Sequence, residues 1–295
     1  MPGLTSRRDR RGFTLVELLV ALILFSILGG AMLKVLTSQQ RAYNAQLQRT
    51  GLQQSIRVAG TLLPNEFRGL NPRDSDIVVM MDTVFTIRSV QQLGIMCNPP
   101  VLGGTLTGLV IGMRGPLYSA SRPFVAGDSV FVWYEGDGTS RADDGWARGK
   151  VTAVANVNCP TLPSPGNEQA ITVSMALRAT QPNTAGSITA GSPLLGYEDR
   201  TYRLYQAADT RWYLGLQRGA GTTDQLIGPL IGSTGLTFTY IDTLGAVTAV
   251  KTAVGQINVT LRAETKNPIR KADGSFGTAM DSIVLNIAVR NRPRF

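Results

Sequence analysis

Residues 13–33 read FTLVELLVALILFSILGGAML, an unbroken apolar stretch of 21 residues whose only charge is Glu17. Coiled as a helix at 1.5 Å per residue it is about 30 Å long, the thickness of a bilayer's hydrocarbon core. Arg7, Arg8, Arg10 and Arg11 precede it, opposed only by Asp9, while Lys34 and Arg41 follow more sparsely. Positive charge is retained on the cytoplasmic side of a span, so the N-terminus is expected in the cytoplasm and everything after residue 33 across the membrane. A cleaved secretory signal would have a shorter apolar core with its small-residue site behind it. Here the small residue, Gly12, stands in front.

Beyond the apolar run, 34–68 is rich in Gln, Ala, Leu and Arg, with apolar residues at 36, 43, 47, 52, 56, 59 and 63. That spacing traces one helical face. The span and this amphipathic continuation therefore predict one helix of about 50 residues, on the order of 75 Å long, whose stripe rests on a globular body. Gly29, Gly30 and Gly51 each weaken it by about 1 kcal/mol relative to Ala, and Pro64 is expected to end or kink it. The Gly29-Gly30 pair fits either local unwinding when the helix leaves a bilayer or close packing of helices through small residues.

After residue 68 the pattern changes to short β-like runs, at 77–88, 106–113, 129–135, 151–157, 170–177, 201–206, 212–217, 236–241, 256–262 and 282–289, punctuated by Gly, Pro, Asn and Asp. Ile257, Val259, Leu261 and then Ile283, Leu285, Ile287, Val289 alternate, as antiparallel strands with one buried face do. The expected fold class is α+β: a long N-terminal helix packed on an antiparallel sheet domain, 69–295, with an inserted β subdomain at about 96–182. Trp212, Tyr213, Tyr202 and Tyr205 read as packing residues of this sheet rather than a sugar platform.

Composition excludes much chemistry. The 295 residues contain no histidine, which removes Ser-His-Asp and Cys-His machinery and the commonest transition-metal ligand. Cys97 and Cys159 cannot complete a zinc site alone. Both lie beyond the membrane by the orientation argument, where disulfides persist, so a Cys97 to Cys159 bridge is expected, the alternative being two buried free thiols. The loop EGDGTSRADDG, with Glu135, Asp137, Asp143 and Asp144, departs from calcium-loop order and reads as a solvated hairpin tip. The stretches 145–151 and 219–221 lack the spacing and residues of phosphate loops. No metal, cofactor or enzymatic activity is expected. The net charge of +9 falls to +6 without residues 1–12, and the other basic residues are scattered up to the tail Arg290, Arg292, Arg294, so no nucleic-acid partner is expected.

The dodecamer RGFTLVELLVAL at 11–22 resembles the prepilin cleavage and methylation signature of type IV pilins and type II secretion pseudopilins: a basic leader ending in Gly, then Phe, then Glu four residues on in an apolar helix. The resemblance implies a cleaved leader, 1–12, with a membrane-embedded prepilin peptidase cutting between Gly12 and Phe13, and N-methylation of the new Phe13 amine. The helix, 13–33, then stays attached as export signal and assembly stalk. Glu17 is implied to meet the amine of a neighbouring subunit and set register in a filament. The stretch 201–289 resembles the second half of PilW-like minor pilins and J-type pseudopilins, and the presence of Glu17 departs from K-type tip pseudopilins. What this implies is a minor pilin that helps initiate or cap a type IV pilus, or alternatively a J-type or DNA-uptake pseudopilus subunit. Its partners would be the peptidase, other pilins or pseudopilins and an inner-membrane assembly platform, with the body in the periplasm.

Overall fold

The apolar run and the stretch after it form one continuous helix, α1 (Leu15–Phe67), of 53 residues. The computed structural model describes residues 14–96, 105–112, 123–135, 144–157, 168–175, 188–271 and 274–290. Only the C-terminal part of α1 is covered: Leu52, Ile56, Ala59, Leu63 and Phe67 are buried, while Leu36, Tyr43 and Leu47 on the earlier part of the stripe are exposed. Pro64 does not end the helix, which runs through it by a further turn. Proline costs about 3 kcal/mol inside a helix. Here that cost is offset by the burial of Leu63 and Phe67, both fully enclosed, and by the Arg68 amide bonding to the Pro64 carbonyl at 3.0 Å. The helix is also unbroken through Gly29 and Gly30, where an added Cβ would meet nothing within 4 Å.

Fourteen strands among the described residues follow. They begin with β1 (Ile77–Met80), β2 (Val84–Met96), β3 (Thr105–Gly112), β4 (Ser129–Tyr134), β5 (Gly145–Val157), β6 (Glu168–Met175) and β7 (Pro193–Gln206). The remainder are β8 (Trp212–Arg218), β9 (Thr223–Leu230), β10 (Leu236–Asp242), β11 (Val254–Glu264), β12 (Ile269–Arg270), β13 (Phe276–Gly277) and β14 (Met280–Ala288). Every pairing is antiparallel.

The helix packs on the face made by β2, β7, β8, β9, β11, β10 and β14. Phe67 anchors that core, its ring edge-on to Phe85 and Tyr202, each at 5.1 Å between centroids, beside buried Ile257, Val259 and Leu261. Tyr202 and Tyr213 are buried and Trp212 packs against the same core, as the packing reading expected. Truncating Phe67 to Ala removes a fully enclosed aromatic, so a loss of about 3–5 kcal/mol is expected. Denaturant unfolding of the detergent-solubilised chain checks this through a lowered midpoint with an unchanged slope.

A second core lies inside a ring of strands. β2 pairs β3, β3 pairs β6, β6 pairs β5, β5 pairs β4, β4 pairs β7, and β7 pairs β2, which closes a six-stranded barrel. Met96, Phe124, Val130, Val132, Val151, Ile171, Val173, Ile188 and Leu194 fill it. Gly196 is required there: a Cβ would lie 2.0 Å from Gln92 Oε1 and 2.8 Å from the Phe124 ring. Outside, Phe131 stacks on Tyr197 at 4.3 Å and Trp133 meets Trp146 at 5.3 Å, cross-strand pairs of the kind that stabilise a sheet face.

β2 and β7 belong to both cores, paired from Val84↔Arg203 to Ile95↔Pro193. Where they pass from one to the other, Arg200 donates to both carboxylate oxygens of Glu66 at 2.8 and 2.9 Å and to Gln91 Oε1 at 2.9 Å. The barrel is thus joined to the sheet beside the C-terminal end of α1, the end remote from the apolar run. Burial, with the Glu66 carboxylate adding to it, holds the neighbouring Tyr202 phenol well above its ordinary range.

Several strand expectations need correction. The run 77–88 is a hairpin, β1 and the start of β2, because a turn at 81–83 interrupts it and β2 continues to Met96. β5 begins at Gly145 and β7 at Pro193, earlier than expected, since their first halves are held by barrel neighbours rather than by their own alternation. β9 was absent from the expectation, having Gly228-Pro229 near its end.

Cys97 and Cys159 lie outside the described residues. Their preceding strands, β2 and β5, stand on opposite sides of the ring, with β3 and β6 between them. In the ladder Met96↔Val110↔Gln169↔Asn156 the two outer residues are about 14 Å apart along the barrel wall and about 10 Å apart straight across it, whereas a bridge needs Cα atoms within about 7 Å. A disulfide thus requires the segments after both strands to converge. It would enclose a loop of about 63 residues and contribute about 4 kcal/mol in the chain-entropy model. The expected result is no reactive thiol in denatured, unreduced protein; two reactive thiols refute the bridge.

Candidate assembly site at the helix N-terminus

A helix begins with four backbone N–H groups that lack partners. At the start of α1, Thr14 is extended (φ −79°, ψ 151°) and its Oγ1 accepts from the Glu17 amide at 3.2 Å. Glu17 Oε2 in return accepts from the Thr14 amide and from the Thr14 hydroxyl, each at 3.3 Å. This reciprocal capping box also sets a carboxylate at the positive end of the helix dipole. The sequence reading singled out Glu17 and missed Thr14, although Thr14-Leu15-Val16-Glu17 has the Thr-x-x-Glu spacing that signals such a cap.

Among the described residues, no part of the body covers the apolar run. From Thr14 to Gly51 no residue is buried, and Leu15 and Phe25 are more than three-quarters exposed. α1 is the one helix among the described residues long and apolar enough to cross a membrane. A surface this apolar requires lipid or other apolar helices around it. In such surroundings the Glu17 carboxylate needs a partner of opposite charge, and a capping box supplies only hydrogen bonds. An ammonium made by cutting before residue 13 would lie beside Thr14, the residue that Glu17 already grips, and would be a charge of the right sign. Gly12, Phe13 and the arginines Arg7, Arg8, Arg10 and Arg11 are themselves outside the described residues.

Residues 7–33 match the family model for the prokaryotic N-terminal methylation motif. The match covers the start of the chain alone, and over that stretch the chain is similar to type IV prepilins. No curated protein and no solved structure matched the chain. The motif is one that prepilin peptidases process, and the helix that follows it is long and apolar enough to cross a membrane. The long helix on a large antiparallel sheet is the α+β architecture expected from the sequence.

Elsewhere in the chain, no group of three or more Cys, Asp and Glu side chains that could hold a metal ion occurs among the described residues. Glu135 and Asp144 flank the connection of the β4–β5 hairpin; Asp137 and Asp143 lie outside the described residues. The 145–150 stretch that superficially suggests a phosphate loop is the first half of β5.

Proposed function

We propose that this chain is a minor type IV pilin, a structural subunit that helps initiate or cap a pilus after prepilin peptidase has cut between Gly12 and Phe13. The observation that carries the reading is Glu17, a lone carboxylate at the start of an apolar run, Thr14 to Leu33, in which no residue is buried among the described residues. In a filament the exposed stripe of Leu36, Tyr43 and Leu47 meets neighbouring helices, and Glu17 pairs with the methylated Phe13 amine of the next subunit. A large body with a closed barrel beside the far end of α1 suits a subunit present in few copies, because it makes the chain wide for a repeating position. Orientation follows the arginine cluster: N-terminus in the cytoplasm, span in the inner membrane, body in the periplasm. The assembly platform of that membrane and the other pilins are its partners.

The resemblance of 201–289 also extends to J-type pseudopilins of type II secretion, and neither this stretch nor Glu17 separates the two. Mass spectrometry of sheared surface filaments tests the choice. A minor pilin is recovered with an excess of major pilin, and its deletion lowers filament number. Loss of exported enzymes with normal filament number would assign it to a secretion pseudopilus instead.

A further inference from the structure

Basic residues that are scattered in sequence are gathered by the fold into one belt. No acidic residue occurs between Glu17 and Glu66, and Lys34, Arg41, Arg49 and Arg57 are exposed on α1. The segment 265–279 adds Lys266, Arg270 and Lys271 against Asp273. Together, 34–65 and 265–279 carry a net charge of +6, equal to that of everything after Gly12.

These segments meet because β11 and β14 extend past the sheet as a narrow ribbon. The Thr265 amide donates to the Ala279 carbonyl at 2.8 Å, and the Ala279 amide donates to Thr265 Oγ1 at 3.0 Å. Further on, β12 and β13 pair through Ile269↔Gly277 and Arg270↔Phe276. The end is closed by the Lys271 amide bonding to the Ser275 carbonyl at 2.8 Å, with Gly274 at φ +83°. Lys266, Arg270, Lys271 and Phe276 are all exposed, Phe276 by 68%.

The ribbon lies along α1 and points towards the apolar run. Ile283, which pairs with Leu261, packs at Gly60, and the Asn267 amide donates to Gln48 Oε1 at 3.2 Å across 219 sequence positions. From Gly60 to Gln48 the helix covers about 18 Å. From Leu261 to Asn267 a strand covers about 20 Å, so the two run side by side. β12 continues against α1, with Ile269 buried. Lys271 is then about 13 Å beyond Asn267, while Lys34, the first charge after the apolar run, is about 21 Å beyond Gln48. The ribbon's end therefore stands about 8 Å above the hydrocarbon edge, next to a headgroup layer about 5–7 Å thick.

We infer that this ribbon is a second membrane contact, in which Arg270 and Lys271 bind anionic lipid headgroups of the leaflet on the body's side and Phe276 settles at the interface. Charge complementarity selects the occupant: the belt is basic, an anionic leaflet is the nearest opposite charge, and an exposed aromatic beside two cations suits the headgroup level. The contact would hold the body upright over its own span until the helix leaves the bilayer. The inference rests on reading 13–33 as that span.

Amide hydrogen exchange of the full chain in nanodiscs of phosphatidylcholine, alone or mixed with phosphatidylglycerol, tests it. Exchange at 269–277 is expected to slow about tenfold in the anionic discs, consistent with two basic side chains near the surface. The exposed loop around Leu244, at the opposite end of β11, should be unaffected. The double variant Arg270→Glu, Lys271→Glu should lose the lipid dependence while the β11 and β14 amides stay protected, which shows that it is folded. Equal exchange in both lipids overturns the inference, as does protection that appears only when other pilins are added, which would assign the ribbon to a subunit contact. A chain that does not stay in the discs overturns the span itself, a distinguishable failure.

Discussion

Gly12→Trp leaves the chain uncut, and the full-length precursor accumulates in the membrane. Gly12 lies within residues 7–33, which match the methylation motif; on the proposed processing it directly precedes the first residue of the mature chain, and a bulky side chain there obstructs the backbone approach that a peptidase needs. The consequence extends beyond a missing cut. An uncut chain keeps a leader of net charge +3 on the end of its apolar helix, and each arginine costs about 2.5–3.5 kcal/mol at the centre of a bilayer. Such a leader is equally unwelcome among packed apolar helices, so incorporation should fall to background. Intact-mass measurement of membrane-extracted protein reads the result: wild type begins at N-methylated Phe13, the variant at Met1. A wild-type chain that begins at Met1 in cells with active peptidase would refute the assignment.

The second large effect is expected at Glu17. Glu17→Ala should insert normally, since losing a charge makes the helix more apolar, and its body should fold normally, because burial on α1 starts at Leu52. Recovery in sheared filaments should nevertheless drop about tenfold or more, as expected for loss of a charged hydrogen-bonded pair worth about 1.5–3 kcal/mol. Glu17 also caps Thr14, so the Ala variant alone confounds pairing with capping. Glu17→Gln separates them, because glutamine serves in a capping box without carrying charge. If charge is what the filament requires, Gln fails as Ala does. Full rescue by Gln would reduce Glu17 to a helix cap.

What could be read in advance divides along the range of the interactions. The helix, its membrane stretch and the strands β10, β11 and β14 carry their pattern locally, in one face repeating every three to four residues or in strict alternation such as Ile257, Val259, Leu261. The barrel does not. Its closure depends on β2 finding β7, from Gln92↔Gly196 to Ile95↔Pro193, and no local pattern announces a partner so distant. The turn at 81–83 was hidden because apolar residues continue on both sides of it. At the candidate site the charge was read and its partner was not: Glu17 stood out as a cost in an apolar run, and that cost drew attention from the Thr-x-x-Glu spacing that marks Thr14 as its capping partner. The basic belt was invisible for the same reason as the barrel, since Gln48 and Asn267 meet only in the fold.

The sharing of β2 and β7 between sheet and barrel has a mechanical consequence. The barrel's insertion leaves the sheet through one of these strands and returns through the other, so a pull on the barrel loads both along their length. Their cross-strand bonds to β1 and β8 lie perpendicular to that load. Bonds in that arrangement are sheared together rather than peeled singly, and the tension passes through the Arg200 to Glu66 contact into α1. A filament end that bears on a surface through this barrel would therefore transmit traction to its shaft without first unravelling the domain that carries it.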